Sequence, residues 1–369
     1  MIPDLPSNNP VRIVSSSHWL NTVREILDER GLSRPLVVTS QGAAQRNRLL
    51  EQFPESSVFA AIEPNPTFES CQAAIDFAVR GQFDSLIAFG GGSVLDSAKA
   101  VMAALGTGIE RLTELFEWKE PFKHRLPAIF IPTTHGTASE VTMWGTIWNM
   151  DEMKKYSISH PDLYPDVAVL DAALTLELPL DISLTSILDA LSHSFEAIWN
   201  RNATKSSTEF AIAAICAILE NAKKLKADPG NLDTRRVLLD AATTAGLAFS
   251  QTRTAAAHSI SYPLTLRFGI PHGIASSLAL IPLLHINKGA IRPALKQLLA
   301  AAGLATIDEL EHQIRAIPEG VLKYRLRDWG IGRDDLASLL DQSFFKGRID
   351  NNIVTLSRSD VAQILELIY

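Results

Sequence analysis

The sequence holds only two cysteines in 369 residues, Cys71 and Cys216. Lying so far apart, they form neither a disulfide framework nor a cysteine-type metal site, and a reducing compartment is expected. Positive charge is also short. Lys and Arg number 34 against 41 Asp and Glu, a formal net charge of -7 with no long basic run, so the electrostatic footprint of a nucleic-acid binder is missing. Apolar runs such as Ala275 to Leu284 are too short to span a bilayer and are broken by serines. The opening Met1-Ile2-Pro3-Asp4-Leu5-Pro6 has no basic start followed by an apolar core, so no secretory leader is visible. The expectation is a cytoplasmic protein with neither membrane nor nucleic acid as partner. What remains is 46% hydrophobic and 20% charged, a globular balance in a chain long enough for two domains.

Within that balance, polar residues with metal-ligand spacing stand out between Asp189 and His272. Asp189 and His193 lie four apart in a stretch of helix formers without Pro or Gly, which turns both side chains to one face about a turn apart. His258 follows among alanines, in a segment of helical composition, and His272 sits in the turn Gly269-Ile270-Pro271-His272-Gly273. Any one of these histidines alone reads as well as a core residue or a helix-end charge. Together they form a His3Asp set suited to a borderline divalent first-row metal, Fe(II) or Zn(II), rather than to Ca or Mg with their all-oxygen shells. An ion so held, with a position open, acts as a Lewis acid on a substrate oxygen.

The first half of the chain alternates apolar strands with helical stretches. Strands are expected at Leu36–Thr39, Val58–Ala61, Ser85–Phe89 and Ala128–Ile131, and helices at Trp19–Arg30, Ala43–Phe53, Thr67–Arg80 and Val94–Leu105. Such alternation predicts a parallel α/β layer. From Leu184 to Tyr369 the patterns are helical with almost no strand signal. The expected division is an α/β dinucleotide-binding domain over 1–175 and a helical metal-binding domain over 176–369, with the boundary between Leu170 and Pro179.

A second stretch carrying chemistry is Phe89-Gly90-Gly91-Gly92-Ser93-Val94-Leu95-Asp96-Ser97-Ala98-Lys99, where an apolar strand enters three glycines and then a helix. Glycines clear the Cβ atoms that would block close approach, and the helix start offers free N–H groups and the positive end of its dipole to a phosphate. The glycine spacing is not that of the usual dinucleotide fingerprint, and the same stretch also reads as a plain tight turn. A second loop, Pro132-Thr133-Thr134-His135-Gly136-Thr137-Ala138-Ser139-Glu140, follows another apolar strand. Two such loops at the carboxyl ends of parallel strands favour a nucleotide crevice.

These residues resemble the iron-containing (group III) alcohol dehydrogenases, whose fold is shared with dehydroquinate synthase. The resemblance runs over nearly the whole chain. Its carriers are Glu63-Pro64-Asn65-Pro66, the glycine turn with Asp96-Ser97-Ala98-Lys99, Pro132-Thr133-Thr134 with Ser139-Glu140-Val141-Thr142, Asp189-Ala190-Leu191-Ser192-His193, and Pro271-His272-Gly273. The resemblance implies an N-terminal dinucleotide domain, an all-α C-terminal domain and an active site in the cleft between them. It further implies Asp189, His193, His258 and His272 as metal ligands. The nicotinamide cofactor, NADPH or NADH, would meet Ser40, Asn65, Gly91, Gly92, Ser93, Asp96, Thr133, Thr134, Ser139 and Lys155. The implied reaction interconverts an aldehyde and a primary alcohol, in a homodimer.

The family pattern is broken in three places. Many members carry a second histidine four residues after the third ligand. Here that place is Tyr262, which with Lys155 is the candidate for catalytic assistance, although a phenol of ordinary pKa ~10 carries protons poorly at neutral pH. His135 and Ala138 stand where the phosphate loop usually has Ala and Gly. Ser40 stands where NAD-preferring members have Asp, which removes an obstacle to a 2′-phosphate. The runs Ile147-Trp148-Asn149, Phe195 to Ala203 and Ser259-Ile260-Ser261-Tyr262-Pro263-Leu264 resemble the phosphonoacetaldehyde reductase branch. Arg201 and Arg253, with Lys155, are then candidates to face a phosphonate. The alternatives are an iron- or zinc-dependent dehydrogenase of another alcohol or polyol, a lyase that uses NAD only transiently, and a non-catalytic nucleotide-binding relative.

Overall fold

The computed structural model describes residues 2–3 and 8–369, so part of the N-terminal stretch read above for a leader, Met1 and residues 4–7, lies outside the described residues. The described chain divides into two compact units. One comprises residues 9–134 and 138–175, and the other comprises 135–137 and 176–369 with the described residues before Asn9.

The first unit runs β1 (Arg12–Ser16), α1 (Trp19–Glu29), β2 (Pro35–Thr39), α2 (Gln41–Arg46), α3 (Leu49–Gln52), β3 (Val58–Phe59), α4 (Phe68–Arg80), β4 (Ser85–Gly90), α5 (Gly92–Thr107), α6 (Leu112–Leu115), β5 (Ala128–Pro132), β6 (Trp144–Asn149), β7 (Lys154–Ser159) and β8 (Val167–Asp171). Six strands form a sheet in the order β1-β8-β5-β4-β2-β3, parallel throughout, while β6 and β7 pair as a separate antiparallel hairpin. The sheet is covered on both faces. Leu36, Val38, Leu86, Ala88 and Phe130 pack into one core, and Val37, Ile87, Phe89, Ile129 and Ile131 into the other. Burial on both sides is why these strands appear in the sequence as unbroken apolar runs rather than as alternation.

The α/β expectation holds, with local corrections. The helix expected over Ala43–Phe53 is two short helices, because Arg48 between them takes a left-handed conformation, φ 49°. The strand expected over Val58–Ala61 shrinks to two residues at the sheet edge. Strand β1 escaped the reading because it is an edge strand with half-polar composition. The hairpin escaped because its faces are only partly buried.

In the second unit no strand follows Asp171 among the described residues. It contains α7 (Leu180–Ile198), α8 (Lys205–Ala227), α9 (Leu232–Thr252), α10 (Ala256–Phe268), α11 (His272–Leu278), α12 (Leu280–Asn287), α13 (Arg292–Ala301), α14 (Ile307–Ala316), α15 (Asp335–Gln342) and α16 (Arg358–Ile368). Every residue of α7 from Ile187 to Ile198 is buried, and α7 packs against α8, α9 and α11. A helix enclosed on all sides has no solvent to satisfy polar side chains, so any it carries must find partners inside. No helix of the described residues is long and apolar enough to cross a membrane.

Candidate functional site

Three polar residues of the buried helix α7, Asp189, His193 and Glu196, are spaced four and three apart and so share one face. Asp189 is the hub. Its Oδ1 lies 3.9 Å from His193 Nε2, 3.6 Å from His258 Nε2 and 3.7 Å from His272 Nε2. The ligand atoms of Asp189, His258 and His272 fall within 4.8 Å of one another, close enough to share one ion, and the His193 ring stacks on His258 with centroids 4.7 Å apart.

Two sequence features bring His272 and His258 there. Gly273 lets the start of α11 press against α7: a Cβ at that position would stand 2.0 Å from Thr185 O and 3.1 Å from Asp189 Cβ, so only glycine allows the approach that sets His272 over the carboxylate. His258 is held by Glu196. The Glu196 carboxylate accepts the backbone N–H of His258 at 3.1 Å, which satisfies one of the free donors at the start of α10. It also pairs with His258 Nδ1 at 2.6 Å. The proton therefore sits on Nδ1, and Nε2, buried and without a hydrogen-bond partner among the described residues, faces Asp189.

The electrostatics describe a pocket that holds positive charge. Burial pushes the Asp189 carboxyl up, but the three imidazoles overturn this and keep it well below the usual carboxylate range. Glu196 is likewise lowered: burial works against it, while His258 and the backbone N–H groups of Ala255 and His258 prevail. Burial favours a neutral His258, yet the flanking carboxylates raise it to about 10. Two buried carboxylates that bind a proton so firmly suit a divalent cation, and the nitrogen-rich donor set suits a first-row transition metal. The residues present therefore fit the metal that the resemblance implies.

In the α/β unit the chain runs outward from β2 to β3 and returns to place β4 on the other side of β2, so the strand order reverses between β2 and β4. Ligands of open α/β sheets bind at the carboxyl ends of strands flanking such a reversal. Ser40 follows β2, and the glycine turn follows β4. A Cβ on Gly90 would meet Val94 Cγ2 at 2.6 Å, and one on Gly91 would stand 3.2 Å from Thr134 Cγ2. Gly92 opens α5, Ser93 Oγ accepts the N–H of Asn65 at 3.1 Å, and Thr133 N–H donates to Gly90 O at 3.0 Å. Asn65, Gly91, Gly92, Ser93, Thr133 and Thr134 thus gather around one helix start.

Asp96 and Ser139 serve as struts beside it. Asp96 accepts from Ser139 Oγ at 2.6 Å and from Thr146 N at 2.9 Å. Lys99, fully buried, donates to Ser139 O and Oγ, Thr142 Oγ1 and Trp144 O at 2.7–2.8 Å. The two side chains pin the loop after β5 onto α5. Lys155 on β7 lies 5.2 Å from the Trp148 ring centre.

The remaining candidates lie in the helical unit. Tyr262 is buried one turn beyond His258 on α10, and its hydroxyl accepts from Arg348 Nε at 3.3 Å. Arg201 spends Nε on Asn352 O at 2.9 Å and Nη2 on Thr355 Oγ1 at 2.5 Å, which makes it a support for the 351–355 segment. Arg253 is exposed at the end of α9 with φ 67°, and its carbonyl accepts from Asn200 Nδ2 at 3.0 Å. His135 is fully buried with neither ring nitrogen hydrogen-bonded among the described residues. Burial, and then the nearby Arg235 charge, lower it to about 3, so the ring is neutral.

Sequence reading missed Glu196 and Arg348. The first had a signal, since it continues the Asp189–His193 stripe by three residues; the second had none, because it joins Tyr262 across 86 positions.

Comparison with known proteins agrees with this geometry. A family model described as iron-containing alcohol dehydrogenase matches residues 10–172, and one described as Fe-containing alcohol dehydrogenase family, C-terminal, matches residues 183–369. The chain belongs to the iron-containing alcohol dehydrogenase family. Among its relatives in that family is "Probable alcohol dehydrogenase EutG" of Escherichia coli, 35% identical over 260 residues; the match covers 69% of this chain and 65% of that protein, just under two thirds of its length. The phosphonoacetaldehyde reductase of Streptomyces viridochromogenes is 33% identical over 233 residues, covering 61% of this chain and 59% of that protein. It is one of several relatives near this level and is not singled out by the comparison. The solved structure of the Bifidobacterium kashiwanohense sulfoacetaldehyde reductase, in complex with NAD+, superposes with a TM-score of 0.89 at 26% identity, covering 100% of this chain and 99% of that one. The fold, a parallel α/β unit and an all-helical unit, is that of these iron-containing alcohol dehydrogenases.

Proposed function

We propose that this protein reduces a short aldehyde bearing a tetrahedral oxyanion, of the phosphonoacetaldehyde kind, to the primary alcohol, using NADPH or NADH and a divalent metal, Fe(II) before Zn(II). The observation that carries the metal-dependent part is the convergence of three imidazoles, from α7, α10 and α11, on Asp189 Oδ1 at 3.6–3.9 Å. When bound, the metal and the reduced nicotinamide supply a Lewis acid for the carbonyl oxygen and a hydride for its carbon, so that aldehyde, hydride and one proton give the alcohol.

The chain's own residues set the stage. Asp189, His193, His258 and His272 hold the ion, and Glu196 keeps the His258 proton on Nδ1. The turn from Gly91 to Ser93 offers its backbone N–H groups to the dinucleotide phosphates, and Asp96 and Lys99 hold the neighbouring loop against α5. To the Tyr262 hydroxyl, on the residue one turn from His258 along α10, this reading assigns the proton that goes to the product oxygen. The anionic substrate is supported by relatives named for phosphonoacetaldehyde and sulfoacetaldehyde.

The test combines metal analysis with a nicotinamide-oxidation assay. Chelation abolishes turnover and added iron restores it, while His258→Ala and His272→Ala lose stoichiometric metal. Phosphonoacetaldehyde exceeds propanal in kcat/KM by about tenfold or more, the least expected of one charge-assisted hydrogen bond. Metal retained by both variants overturns the ligand set. Equal turnover of the two aldehydes leaves a general alcohol dehydrogenase.

A further inference from the structure

Helix α10 carries two residues toward one face: His258 and, one turn on, Tyr262. The segment that follows α15 is stapled along this helix. Ser259 Oγ donates to Ser343 O at 2.6 Å and accepts from Phe345 N at 2.9 Å. The Phe345 ring, itself 43% exposed, meets Tyr262 edge to face with centroids 5.3 Å apart. Asn351 Nδ2 closes the other end on Thr254 O at 2.8 Å. These ties deliver Arg348 to the Tyr262 hydroxyl.

The Arg348 guanidinium differs from its neighbours in what it lacks. Half-buried, it donates Nε to Tyr262 and Nη1 to Gly347 O at 3.0 Å, while Nη2 carries no hydrogen bond among the described residues. No ion pair among the described residues involves it, and Asp350, the nearest acid along the chain, accepts from Gly347 N at 3.0 Å. Arg201 and Arg235, by contrast, spend their nitrogens on backbone carbonyls and hydroxyls. A partly desolvated cation without a counter-charge, bonded to a tyrosine that lies one turn along α10 from a metal-binding histidine, is suited to an anion that arrives from outside.

We propose that Arg348, positioned by Tyr262, binds the tetrahedral oxyanion of a two-carbon aldehyde, phosphonate or sulfonate, and so determines which aldehydes the enzyme prefers. The inference rests on the reading of the function above and names the residue that reading lacks. Nη2, with the second N–H of Nη1, presents two donors in a fixed plane to the oxygens of a tetrahedral group, a geometry the ammonium of a lysine does not hold. Arg201 then acts indirectly, by supporting the segment that carries Arg348.

The test measures kcat/KM for phosphonoacetaldehyde, sulfoacetaldehyde and propanal in the metal-loaded wild type and in Arg348→Gln, Arg348→Lys and Tyr262→Phe. It also measures equilibrium binding of methylphosphonate and methanesulfonate without turnover, with metal content and melting temperature recorded for each protein. In Arg348→Gln the ratio of the better anionic aldehyde to propanal falls about thirtyfold, and the matching small oxyanion binds about tenfold more weakly. Arg348→Lys recovers part of both, and Tyr262→Phe lowers the ratio less. A wild-type preference for anionic aldehydes that survives in both Arg348 variants overturns the assignment and leaves the proposed function standing. A wild type without that preference overturns both. The oxyanion with the larger wild-type ratio identifies the source.

Discussion

His258 Nδ1 stands 2.6 Å from Glu196 Oε2, and this one contact decides which nitrogen of the imidazole faces Asp189. It joins the buried helix α7 to the first turn of α10, so the same carboxylate that caps a helix also orients a metal-binding side chain. Outer-shell partners of this kind raise the basicity of the ligand they hold.

Glu196→Gln keeps the shape of the side chain and removes its charge. The expected result is a divalent-metal affinity about 10–100-fold weaker, read by chelator competition, with kcat falling less once metal is saturating. A variant that binds metal as tightly as the wild type would reduce Glu196 to a helix cap.

Lys99 makes a prediction about stability and pH. Burial lowers it from 10.5 to about 8, despite the opposing pull of Asp96 and Glu140. Between those two pH values the unfolded chain binds more protons than the folded one, so stability rises with pH across that window. Lys99→Met leaves Ser139, Thr142 and Trp144 acceptors unmatched and should cost roughly 2–4 kcal/mol at neutral pH. In thermal melts from pH 7 to 10 the wild type should gain more than the variant. Parallel curves would mean that the lysine sheds no proton on folding.

Much of this architecture is legible in the sequence, for reasons that differ by element. Strands β2, β4 and β5 are central and covered on both faces, so their apolar runs announce them; edge strand β1 and the half-exposed hairpin give no such signal. Asp189 and His193 are visible because an i, i+4 pair needs only helix geometry. His258 and His272 become partners through tertiary packing, and Gly273 beside His272 is the trace that packing leaves. Asp96 and Ser139 belong to the motif that carries the resemblance, and the bonds of Ser139 to Asp96 and to Lys99 add a loop clamp that the motif by itself does not reveal. Arg348 is illegible because its position depends on ties from Ser259 and Asn351, which no local pattern encodes.

The last prediction concerns the choice of dinucleotide at the end of β2. Ser40 is the N-cap of α2, its Oγ accepting Ala43 N–H at 3.3 Å, and the Arg46 side chain folds back so that a Cβ on Gly42 would lie 3.0 Å from its Nη1. A small hydroxyl and a guanidinium thus share the first turn of α2. If the adenosine ribose reaches this turn, a 2′-phosphate meets a donor and a positive charge, and nothing acidic at position 40 repels it. NADPH should therefore serve at least as well as NADH. Ser40→Asp is an informative change because Asp caps helices as well as Ser does, so α2 survives while the charge alters. It should shift preference toward NADH by about 1–3 kcal/mol, and Arg46→Ala should raise KM for NADPH more than for NADH. Steady-state kinetics with both cofactors decide the matter: a wild type that strongly prefers NADH, or an Arg46→Ala variant that weakens both cofactors alike, would show that this turn does not read the 2′ position.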